Sequence, residues 1–210
     1  TRISEIIALS FALVSGLVII TDMGRPDRLL YVIIYGRVQS PISWDITVVS
    51  IYIVISALLL YVPLIPDMKI CYDKLKNVPG FPRKIYKALS LNWKGSDEQQ
   101  KIINNSIRVL AILIIPVALG IHTVTSWLFA STSRAGWDST IFGPYFVAGA
   151  FVCGCAAVII GMYFYQKNYK LKDYITDMHF DNMGKLLVLV SLVYLYFNLN
   201  EFMVPGYKMK

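Results

Sequence analysis

Two carboxylates and one imidazole stand where apolar runs meet polar loops. Asp22 closes one apolar run, Asp45 opens the next, and His122 lies inside a third. Arg25, Arg28 and Arg37 share the loop between the two acids. A carboxylate at such a boundary is pulled one way by desolvation and the other by a neighbouring guanidinium. Groups balanced in this way exchange protons near neutral pH, which is the chemistry of a proton acceptor or relay. An ordinary salt bridge holding the loop is the alternative for Asp22. Asp45 enters its apolar run behind Trp44, and Tyr52 follows seven residues on, two turns along the same helical face. His122 shares a face with Thr125, Ser126 and Phe129. Ionisable residues at that depth are expensive and usually face a cavity or a bundle interior. A neutral histidine bridging two helices is the plainer alternative. Arg134, in Ser131-Thr-Ser-Arg-Ala-Gly-Trp137, follows its run and Glu201, beside Asn198 and Asn200, follows its own; alternation of the runs puts both on the same side of the membrane as Asp45.

The elements that must hold these groups are transmembrane helices. Ser139–Gln166 contains no Asp, Glu, Lys or Arg, and neither does Ile46–Pro66. Val109–Ser133 carries only His122, and Ile6–Thr21 and Leu186–Asn200 are shorter uncharged runs. A helix crossing the hydrocarbon core needs roughly 20 mostly apolar residues. Hydrophobic residues are 56% of the chain and charged ones 16%, against roughly 45–50% and 25% in soluble domains. Runs of this length without period-2 alternation are helices, not barrel strands. The fold class is therefore all-α, with spans expected at about 3–21, 43–65, 107–130, 141–164 and 183–202. The chain opens at Thr1 and its first run lacks a cleavage-site pattern, so that run reads as a span and the sequence as a piece of a longer protein.

Twelve Lys and Arg fall outside the spans on the side of the N-terminus, against six on the other. The positive-inside rule makes the first side cytoplasmic and puts Asp22, Asp45, Arg134 and Glu201 near the outer face. The net charge of +7 reflects this bias and not nucleic-acid affinity. Residues 66–105, basic and broken by Pro79, Gly80 and Pro82, read as a cytoplasmic linker. Thr21–Pro41 and Ser131–Gly143 are dense in Gly, Pro, Arg, Asp and aromatics, a composition expected to fold into something specific.

Bis-histidine haem needs two histidines within the membrane. Only His122 lies inside a span, and His179 falls in a loop, so haem is not expected. Cys153 and Cys155 sit two apart on a helix, point to different faces, and read with Cys71 as apolar fillers. No phosphate loop, metal-ligand spacing or Ser/His/Asp pattern is visible.

Three motifs in order carry a family resemblance. Asp22-Met-Gly-Arg-Pro-Asp-Arg-Leu29 with Gly36-Arg-Val-Gln-Ser-Pro-Ile-Ser-Trp-Asp45 resembles a loop and helix start of the NrfD/polysulfide-reductase membrane subunits. His122-Thr-Val-Thr-Ser-Trp127, followed by the stretch from Gly136 to Gly149, is similar to the same family. So are His179-Phe-Asp-Asn-Met-Gly-Lys-Leu-Leu187 and Asn200-Glu-Phe202, and the branch most resembled is that of alternative complex III and sulfur metabolism. The resemblance implies eight to ten spans in two four-helix bundles, of which this chain holds five, with no haem or metal. It implies a site for quinone or quinol (menaquinone or ubiquinone) near the outer face, beside an iron–sulfur protein subunit and other redox subunits of an inner-membrane complex. Asp45, Asp22 and His122 are then the expected catalytic residues. Arg25, Tyr52, Arg134 and Glu201 join them in binding. In alternative complex III the position of Asp22 is typically His, paired with the carboxylate matching Asp45; this chain departs there. Some members move protons through polar chains. Two other readings stay open. One is an ion or solute transporter, though no internal repeat is evident and Pro116 is the only clear mid-span breaker. The other is a passive anchor for a redox enzyme.

Overall fold

Each long apolar run forms one helix, because a peptide group in hydrocarbon has no partner but its own chain. The computed structural model describes residues 2–74, 81–132, 134, 137, 139 and 141–208. Its helices are α1 (Arg2–Asp22), α2 (Leu29–Ile34), α3 (Pro41–Lys74), α4 (Phe81–Leu89), α5 (Asp97–Ala130), α6 (Phe142–Asn168) and α7 (Asp177–Lys208). No strand occurs among the described residues. Five of the helices are long and apolar enough to cross a membrane. In order along the bundle, α1 packs on α3, α3 on α5, α5 on α6 and α6 on α7, and α1 also touches α6.

The helices outrun the hydrocarbon spans expected at 43–65 and 107–130. Both α3 and α5 have 34 residues, about 51 Å of helix, against a core of about 30 Å. Apolarity stops at the membrane edge, but the hydrogen-bond ladder does not. Pro63 and Pro66 lie inside α3 without ending it. The stretch 66–105 is thus mostly helix: the end of α3, all of α4 and the first turns of α5. Pro79 and Gly80, read as breaks there, lie outside the described residues, as do Thr1, Gly136 and Lys210. The polar start of α5 is capped by Ser96, whose hydroxyl accepts from the Gln99 backbone N–H, with Asp97 and Glu98 in the first turn.

Small residues let the helices approach. A side chain at Gly149 would meet the Tyr194 ring at 3.1 Å, so glycine there allows α6 to lie close on α7. The loop after α1 holds a 3₁₀ turn at Pro26–Arg28 and the short α2. The Trp44 indole N–H donates back to the Val38 carbonyl and ties that loop to the start of α3.

Candidate functional site

The site begins where α3 and α5 meet. The Thr125 hydroxyl donates to the Asp45 carboxylate at 2.6 Å, and Asp45 is half-buried. Beside it Ser126 is fully buried and its hydroxyl donates to the Thr123 carbonyl at 2.7 Å. Thr123 in turn donates to Leu119 at 2.8 Å. Hydroxyls that bond back to their own helix are satisfied without a gap, so the neighbouring backbone can come close. Opposite Ser126 stands Gly143 of α6, where an added Cβ would come within 3.6 Å of the Ser126 hydroxyl.

One turn below Asp45 the packing opens. A cavity of about 350 Å³ lies between α1, α3, α5 and α6, with Val49 and Tyr52 on one wall and His122 on another. Its remaining walls are apolar or small, including Phe11, Ala118, Gly154 and Ala157. Spacing explains the arrangement: Asp45, Val49, Tyr52 and Ser56 recur at helical intervals and form one stripe of α3. His122 stands one turn below Thr125 on the facing helix. The imidazole and the phenol therefore lie in the cavity wall, while the carboxylate stands one helical turn beyond Val49 and is not itself part of the lining.

Tyr52 also borders a smaller cavity of about 210 Å³, with Glu5 and Ser56. A Glu5 carboxylate oxygen and the Ser56 hydroxyl are buried there without a hydrogen-bond partner among the described residues. The two cavities share Ser4, Ala8 and Tyr52. A third space, of about 470 Å³, lies under the loop, with Arg37, Ser43 and Trp44 in its wall, and the Ser43 hydroxyl is buried without a partner among the described residues. Sequence reading missed Glu5, Ser43 and Ser56. Glu5 is the one with a signal: it is the last acid before the uncharged run of α1.

The other expected residues stand apart from this cavity. Glu201 accepts from the Ser139 hydroxyl at 2.8 Å. Its neighbourhood is the α6–α7 seam, where the Tyr145 and Tyr194 hydroxyls meet at 2.9 Å and their rings stack at 5.1 Å. Arg134 is exposed, with its guanidinium 5.0 Å from the centre of the Trp137 ring, which meets Phe129 edge-on at 5.1 Å. Asp22 and Arg25 are exposed, and neither forms a hydrogen bond or ion pair through its side chain with the described residues. The structure brings Tyr52 and His122 together around one space, sets Asp45 one helical turn beyond that space on the same stripe of α3, and does not bring Asp22, Arg25, Arg134 or Glu201 to it.

A multi-pass helical membrane protein with a cavity between four spans, walled in part by Tyr52 and His122, is the class that fold and site define. The chain belongs to the NrfD polysulphide reductase family, whose family model matches residues 1–207. It is 26% identical over 160 residues to a putative dimethyl sulfoxide reductase membrane subunit of Halobacterium salinarum, covering 76% of this chain and 34% of that protein. It is 25% identical over 205 residues to a selenate reductase subunit of Mesobacillus selenatarsenatis, covering 94% of this chain and 46% of that protein. The chain thus spans less than half the length of these relatives.

Proposed function

We propose that this chain is the quinone-reactive part of a membrane subunit that serves a multi-subunit oxidoreductase. The observation that carries the reading is a cavity walled by Tyr52 and His122, with the Asp45–Thr125 hydrogen bond one helical turn beyond it on the same two helices. Its size suits a small-molecule headgroup, since ligand sites run from about 300 to 1,000 Å³. Oxidation of a quinol releases two electrons and two protons. Asp45 takes a proton, and Tyr52 and His122 orient the ring oxygens or pass the second proton on. The electrons leave to an iron–sulfur centre in an adjoining subunit. The same groups run in reverse for quinone reduction, with Asp45 giving the proton back. Family membership and the two relatives, both reductase subunits by name, support a redox partner in the membrane complex.

The distribution of Lys and Arg supports a cytoplasmic N-terminus and a site near the outer face of the inner membrane. Proton translocation is an extension of this reading. The second cavity, with unpartnered Glu5 and Ser56, continues from Tyr52 toward the opposite end of the bundle and offers polar groups for such a path.

The test is Asp45→Asn in the intact complex, which keeps shape and removes the base. Quinol turnover with an artificial acceptor should fall by at least about a hundredfold, with all subunits still co-purifying. Unchanged turnover removes Asp45 from the chemistry. A passive anchor differs at a separate step: it would bind no quinone analogue at all, whereas this reading requires that an analogue compete with quinol.

A further inference from the structure

Helix α4 has three faces. Arg83 and Tyr86 are half-buried against α3, and the Arg83 guanidinium lies 5.1 Å from the centre of the Tyr72 ring. Lys84 and Lys87 are exposed on the second face, and neither forms an ion pair with the described residues. Ile85 and Leu89, one turn apart, form the third, at 40% and 36% exposure. An apolar strip beside a basic strip is unfavourable in bulk water and favourable at the boundary between acyl chains and headgroups.

Depth places α4 at that boundary. The Tyr61 hydroxyl donates to the Leu89 carbonyl at 2.7 Å. Tyr61 lies about 30 Å along α3 from Pro41, one hydrocarbon thickness. Leu89 is therefore level with the edge of the acyl region, at the end of the bundle away from Asp45. Tyr72, which Arg83 covers, lies about 16 Å beyond, in the headgroup zone or past it. α4 runs back from there, carrying Lys84 and Lys87 through the headgroup layer. Exposed Leu91 and Lys94 follow immediately and extend both chemistries.

We propose that α4 is a binding site for an anionic phospholipid, with Lys84 and Lys87 on the headgroup phosphate and Ile85 and Leu89 against its acyl chains. Two lysines without acidic partners among the described residues supply the charge complementarity. The exposed leucine and isoleucine at acyl depth favour a lipid over a soluble anion. The site lies at the far end of the bundle from the cavity and stands independently of any reaction there.

The test is native mass spectrometry of the full-length protein in its complex, titrated with phosphatidylglycerol or with phosphatidylcholine of the same chain length. Wild-type protein should retain phosphatidylglycerol in preference, and Lys84→Gln/Lys87→Gln should weaken that retention about tenfold or more. Both lysines are exposed, so the fold has no reason to fail, and the wild-type lipid preference reads the proposal without any variant. Equal retention of the two lipids by wild type overturns it. So does a double variant that keeps its lipid but loses a subunit from the complex, since the face would then belong to a protein partner.

Discussion

At the scale of single residues, the hydroxyl of Thr125 decides how Asp45 is held. A half-buried carboxylate that loses its donor can turn toward any other one, and a base must hold its position to take a proton. Thr125→Val keeps volume and removes the donor. Turnover in the complex should fall about tenfold, in the range of one hydrogen bond to a charged group, and Thr125→Ser should restore most of it. Equal activity of the valine and serine variants would show that the bond does not position the base. Asp45 and His122 were legible in the sequence because an ionisable side chain interrupts, or stands at the edge of, an otherwise uncharged run. Thr125 was legible only as a neighbour on the face of His122, and its partner was not, because hydropathy does not say which helices touch. Ser56 was invisible: a serine in an apolar run is ordinary, and only its burial without a partner marks it.

Whole helices make the cavity through what they lack. Ala118, Ala150, Gly154 and Ala157 bring small side chains to its walls, so the backbones approach while the space between them stays open. Gly154 lines the cavity and has nothing within 4 Å of where a Cβ would stand, so the side chain of Gly154→Leu starts in open space and takes up cavity volume. It should raise the KM for quinol or abolish its binding and leave the melting temperature of the complex unchanged or higher. A large loss of stability would mean that the space is not free. Gly149→Val is its counterpart: the added side chain meets Tyr194, and overpacking of this kind costs about 1–3 kcal/mol. The melting temperature should fall with that variant, while quinol affinity in the surviving protein is retained. The existence of the five long helices was written in the apolar runs. Their ends were not, since hydropathy records the width of the hydrocarbon and α3 and α5 continue well past it. Nor was α4, a nine-residue helix whose basic residues read as linker.

The molecule as a whole is polarised. Asp45, Arg134 and Glu201 are at one end of the bundle, and α4 with its lysines is at the other. Charge predicts which end faces the cytoplasm, but the pairing of α3 with α5 and of α6 with α7 could not be read from charge or hydropathy, because each apolar face fits several others. Orientation can be tested by chemistry at two exposed points. In a protein whose native cysteines, Cys71, Cys153 and Cys155 among them, are replaced by alanine, Val38→Cys places a thiol beside the α3 start and Lys94→Cys places one beside α4. Val38 is 80% exposed, and its hydrogen bond from Trp44 goes to the backbone carbonyl, so the substitution keeps that tie of the loop to α3. Lys94 likewise engages Gln99 through its backbone N–H. A maleimide that cannot cross membranes should label the Val38→Cys protein in intact spheroplasts and reach the Lys94→Cys protein only after permeabilisation. The reverse pattern would put the Asp45 end of the cavity on the cytoplasmic side. Protons from quinol would then be released inward, and the redox partner would have to be sought on that face of the membrane.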